Sequence, residues 1–163
     1  MTDTSSIRIP HAIREYFRID LPGLRAQPRA GRLVIATLVA IVGSVAACAL
    51  LALAGAALFP STRGYEHFQF ADYTKLTVVG VLIACAGWPL ACAVSSRARR
   101  LYLWAAVTVT IVSFAPDVWI AMHGQTAEGV FVLAIMHVAV AVVTYLAVVV
   151  IARQRDAAAT SAA

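Results

Sequence analysis

Two ionisable residues lie inside otherwise apolar stretches of this chain. Asp117 follows Pro116 within Leu101–Met122, and His137 lies within Val130–Ile151. An imidazole changes charge near neutral pH, and a charge held inside an apolar span is costly enough to mark a functional candidate. Each residue has polar company at helical spacing. Thr110, Ser113 and Asp117 fall at i, i+3 and i+7, while Ala134, His137, Ala141 and Thr144 form a small and polar stripe. Pro116 cannot donate a hydrogen bond to the carbonyl of Val112, so the first helix should open locally beside Asp117. If the two stripes face each other, Asp117 stands one or two turns above His137.

Three uses of these residues compete. In the first they are structural: Asp117 caps loop backbone or pairs with Arg63 or Lys75, and His137 bonds Ser113 or a carbonyl. In the second, Asp117, His137, Ser113, Thr110 and Thr144 line an outward-facing polar pocket that handles a ligand or a proton. In the third, Glu66, His67, Asp72, Asp117, His123 and Glu128 gather into a metal site, since such donors suit zinc or calcium. No HxxxH, HxH or HExxH spacing supports that site. Haem held between two histidines would need a second histidine in another span, and His11, His67 and His123 all lie outside the apolar stretches. There is no GxSxG, no P-loop and no dinucleotide-binding glycine pattern. No cofactor is implied, and the expectation is a non-enzymatic protein.

The elements that must position these residues follow from composition. Of 163 residues, 61% are hydrophobic and 13% charged, and the apolar ones come in four long blocks. Such blocks are membrane spans, and a span in hydrocarbon must satisfy its backbone internally, hence as a helix. The expected fold class is all-α: a four-transmembrane-helix bundle with spans at 33–59, 76–94, 101–122 and 130–151. A leader at 1–32 precedes it, with an amphipathic stretch at 11–21, and a tail at 153–163 follows. The first block is far longer than the 7–15 residues or so of a signal-peptide core.

Charge sets the expected orientation. Eleven basic residues (six in the leader, Arg97, Arg99 and Arg100 between spans two and three, Arg153 and Arg155 after span four) fall on one side, against Arg63 and Lys75 on the other. By the positive-inside rule both termini are cytoplasmic in a plasma membrane. That rule also accounts for the net charge of +5, and nothing points to nucleic acid. In the leader, Ile13, Tyr16, Phe17 and Leu21 follow helical spacing beside arginines, which suits a headgroup surface.

Small residues predict the packing. Ala36, Ala40, Ser44, Cys48, Ala52 and Ala56 recur at every fourth position of span one; Thr77, Gly80, Ala84, Gly87 and Ala91 share a face of span two. Small residues at such spacing let helices approach closely, so these two faces are expected to meet. Pro89 should kink span two, with Trp88 near an interface. Cys48, Cys85 and Cys92 fall inside spans and are expected to be buried as small hydrophobes. The partners implied are the lipid bilayer and either a membrane-protein partner or self-association.

The basic turn RARR, a span ending in SFAPD (Ser113–Asp117), a short loop and a last span bearing Met136-His137 form a pattern. Over residues 97–153 it resembles small four-span actinobacterial integral membrane proteins grouped as a family of unknown function. The twelve arginines against one lysine, with heavy Ala and Val usage, fit such a source. The resemblance implies a fold and no activity. The loop Glu66–Tyr73 and the arginine-rich leader lie outside it.

Overall fold

The computed structural model describes residues 11–64 and 68–155. The chain is an all-α four-helix bundle, and among the described residues it forms no strand. A short helix α1 (His11–Phe17) precedes α2 (Ala30–Leu58), α3 (Phe70–Val94), α4 (Ala98–Ser113), α5 (Ala115–Met122) and α6 (Ala127–Ile151). Helices α2, α3, the α4–α5 pair and α6 are long and apolar enough to cross a membrane, as suits a multi-pass membrane protein.

Helix α3 begins at Phe70, six residues before the apolar block. A boundary drawn on hydropathy misses this polar first turn, whose backbone bonds start with Asp72 N–H donating to the Gln69 carbonyl at 3.0 Å. Asp72 also places a carboxylate where the helix N-terminus carries partial positive charge. Pro116 acts as expected. Helix α4 ends at Ser113, Phe114 joins it to α5, and the proline takes a position in the first turn of α5 where no donor is needed.

The expected contact between α2 and α3 forms at Thr77, whose hydroxyl lies 3.7 Å from Cys48 Sγ, but the small-residue row of α2 has a second neighbour. Ala36, Ala40, Ser44, Cys48 and Ala52 are all buried on α2, and Gly55 takes over from half-buried Ala56. Their most extensive partner is α6, with α3 second. A Cβ at Gly43 would lie 3.0 Å from a methyl of Val143, and one at Gly55 3.0 Å from a methyl of Val132, so α2 and α6 run antiparallel at near contact.

On α3 the buried face is Tyr73, Thr77, Val81, Cys85, Trp88, Ala91 and Cys92. Gly80 is exposed, with nothing near its missing Cβ, and Gly87 would meet only the Tyr102 ring of α4, at 3.8 Å. The carbonyl of Ala84 accepts a hydrogen bond from that same Tyr102 hydroxyl. Of the expected face Thr77 and Ala91 are buried, whereas Gly80, Ala84 and Gly87 lie to one side of the buried residues. A row of Ala, Ser and Cys on α2 leaves a shallow trough, and Val81, in one buried cluster with Ala36 and Ala40, fills such a trough better than a glycine would.

The end where α2 starts and α6 finishes, here the basic end, is tied together by long-range bonds. Trp88 is wholly buried there; its indole N–H donates to the Ala152 carbonyl at 2.6 Å, and its ring meets Tyr102 edge-on. Gln154 donates to the Ser95 carbonyl at 2.7 Å and accepts from the Ala98 N–H at 3.3 Å. Gln27 donates to the Pro89 carbonyl at 2.9 Å.

The amphipathic run of the leader stops at Phe17, so Leu21 is not part of its helical face. Arg18 and Leu21 take positive φ, and the strap between them lies across the α3–α4 turn. Ile19 bridges Ser95, Leu21 N–H donates to the Val94 carbonyl at 3.1 Å, and the Ser95 hydroxyl donates to the Phe17 carbonyl. Asp20 accepts from Ser96 N–H at 2.9 Å. Slight burial pushes its carboxyl up, but the Ser96 hydrogen bonds and the Arg18 charge prevail and hold it below the usual carboxylate value.

Candidate functional site

The break at Phe114 aims α5 at the first half of α6, and that brings Asp117 onto His137. His137 Nδ1 lies 3.2 Å from Asp117 Oδ2 and 3.0 Å from the Leu133 carbonyl. Both contacts fall on the same ring nitrogen, which places the Asp117 carboxyl and the Leu133 carbonyl on one edge of the imidazole. The Asp117 side chain is 7% exposed and that of His137 35%. Phe114 stands edge-on to the imidazole at 6.0 Å. Burial of the carboxylate against a ring that remains one-third open makes a polar clip between α5 and α6 with one accessible side.

The other stripe residues do not converge on this clip. Thr110 donates to the Ala106 carbonyl and Ser113 to the Thr110 carbonyl, each at 2.8 Å, so both hydroxyls turn back onto α4. Thr144 is buried seven residues beyond His137, about 10 Å along α6 by helical rise, and its hydroxyl has no hydrogen-bond partner among the described residues. The buried Ser44 hydroxyl on α2 is likewise unpartnered. Two hollows lie elsewhere: one is lined by residues such as Ala49, Ala52, Phe68 and Tyr73, the other by arginines at the basic end.

Glu66 and His67 of the expected metal site lie outside the described residues. Among the described residues no three His, Cys, Asp or Glu side chains come together as metal ligands. Asp72 and Glu128 sit in the first turns of α3 and α6, and His123 stacks on Trp119 at 4.1 Å with Nδ1 on the Trp119 carbonyl. The three cysteines are buried and free; Cys48 Sγ lies 3.7 Å from the Thr77 hydroxyl.

Residues 24–155 match the family of unknown function DUF6069. The chain belongs to that family. The match takes in all four spans and so reaches well beyond residues 97–153, where the visible motifs lie. No curated protein and no solved structure matches the chain. Family membership brings no activity with it, so function has to be argued from the arrangement of residues.

Proposed function

We propose that this protein is a non-enzymatic subunit of a larger assembly in an actinobacterial plasma membrane, joined to a membrane-protein partner or to copies of itself. Its basic end is cytoplasmic in this reading, on the charge asymmetry of the connections. The observation that carries the proposal is the third span. Of the described residues from Ala98 to Met122, only Ala98, Tyr102 and Asp117 are buried. This span has the lowest mean hydropathy of the four and is also the least covered by its own chain. A polytopic fold left to itself turns its least apolar helix inward, so a partner laid along Leu103, Val107, Ile111 and Val118 would resolve the mismatch.

The test is purification of the tagged full chain in native nanodiscs, with mass spectrometry of what accompanies it. A stoichiometric membrane protein or a defined oligomer, lost when Val107 and Trp119 are both replaced by alanine, is the expected result. A solitary chain unaffected by those replacements would overturn it.

A second reading rests on the one-third-exposed imidazole beside the buried carboxylate: proton or ligand handling at the Asp117–His137 clip. NMR titration of the His137 ring in wild type and Asp117→Asn decides it. A ring that titrates reversibly in the folded protein, with a midpoint that moves in the variant, supports this reading; a ring that keeps one protonation state through the range of folding ends it.

A further inference from the structure

Residues more than a hundred positions apart converge on one hollow at the basic end. Arg29 and Arg32 come from the start of α2, and Arg153, Gln154 and Arg155 from the chain after α6; together they line a cleft of about 210 Å³. The convergence is built into the backbone. Arg155 N–H donates to the Ala26 carbonyl at 3.2 Å, and Gln154 is pinned to the α3–α4 turn by its bonds to Ser95 and Ala98. Four arginines thus line one space despite their mutual repulsion.

Among the described residues no carboxylate lies within ion-pairing distance of these arginines. The ion pairs there are His11–Glu15 and His137–Asp117, and Asp20 faces Ser96. Asp156 lies outside the described residues. Arg153 spends Nε on the Val150 carbonyl at 3.3 Å, leaving its remaining donors for the cleft. The adjoining first turn of α2 has no acidic residue and no side-chain cap, so its free N–H groups add to the positive potential.

We propose that this cleft binds a phosphate group at the membrane surface, carried by an anionic lipid headgroup or by a free phosphate. Phosphate matches the donors: guanidinium forks bond its oxygens in pairs, and a helix N-terminus adds backbone N–H groups. The volume falls below the roughly 300–1,000 Å³ of pockets that enclose a drug-sized molecule, which fits a headgroup phosphate better than a nucleotide. Net basicity alone does not make the site. Arg97, Arg99 and Arg100 lie at the same end without lining the cleft, and Arg100 instead stands over the Tyr16 ring at 5.8 Å. The site is independent of what covers the third span.

The test compares the full chain in phosphatidylcholine nanodiscs doped with phosphatidylglycerol or cardiolipin, reading retained lipid by native mass spectrometry. Arg29→Gln with Arg155→Gln should weaken retention on the order of tenfold, against less than twofold for Arg97→Gln with Arg99→Gln. A parallel arm adds inorganic phosphate or pyrophosphate to the chain in pure phosphatidylcholine and follows the melting temperature. Lipid retention that millimolar phosphate does not displace assigns the site to a headgroup; a phosphate-dependent rise in melting temperature assigns it to a soluble anion. Equal loss in both variant pairs, or neither retention nor a thermal shift in the wild type, overturns the proposal. The wild-type readings decide even if a variant fails to fold.

Discussion

At the basic end, leader, α3–α4 turn and the chain after α6 are bonded to one another; at the opposite end the connections bond mainly to the helices they have just left. Gln154, Trp88, Gln27 and Asp20 each reach a partner 59 to 76 residues away. At the far end Thr62 donates to Phe59, Arg63 to Ala56, and His123 bonds Trp119, all within seven residues. The cores follow the same division. A larger cluster runs from Ala36 and Val81 to Val148 and Ala152, and a smaller one holds Cys48, Ala52, Tyr73, Val132 and Met136. One end acts as a clamp that sets the helix register. The other keeps few long-range polar ties among its described residues, and the Asp117–His137 clip is one of them.

The contrast is sharpest in two tryptophans. Trp88→Ala should cost about 3–5 kcal/mol, because it opens a cavity and strands the Ala152 carbonyl, whereas Trp119→Ala, 62% exposed at the far end, should stay within about 0.5 kcal/mol. Thermal or denaturant melts in one detergent would show it; equal losses would break the division. Gln154→Ala comes next. It removes bonds to Ser95 and Ala98 together, and a loss of about 1–3 kcal/mol is expected by the same melts.

A pair of glycines tests the packing itself. Gly55→Ala presses against Val132 and should cost about 1 kcal/mol, while Gly80→Ala meets nothing and should gain about 0.5–1 kcal/mol from helix propensity. The smallest effect is at the strap. Asp20 has a folded-state value below its unfolded one, so its contribution is present above pH about 4 and is lost as pH falls through the folded value. The stability gap between wild type and Asp20→Asn, small at pH 6, should therefore vanish on acidification below pH about 4.

These features were unevenly legible in the sequence. Four spans follow from apolar runs alone, because hydrocarbon leaves the backbone no alternative to helix. The buried stripe of α2 was equally plain, since a small residue recurs at every fourth position. The matching face of α3 was legible only in part: Thr77 and Ala91 belong to it, but Gly80, Ala84 and Gly87 satisfy the same spacing rule as the buried Val81, Cys85 and Trp88. The polar stripes around Asp117 and His137 could be placed on their helices, but Ser113 and Thr110 bond their own backbone, which spacing does not reveal. Gln154 gave no signal. A glutamine just past a span is ordinary until the turn it bonds, some sixty residues earlier in the chain, is brought beside it.

The pairing of α2 with α6 has a consequence for how the molecule is made. A ribosome delivers helices in order, so α2 enters the membrane first and its main neighbour arrives last. Throughout synthesis of the intervening helices, the groove of alanine, serine and cysteine on α2 stays half-filled, covered by α3 alone. The clamp of the basic end closes later still, since Ala152, Gln154 and Arg155 follow the last span. Emergence of the residues just after α6 is thus the event that closes the clamp, and a chain cut before them would strand α2 with an open seam.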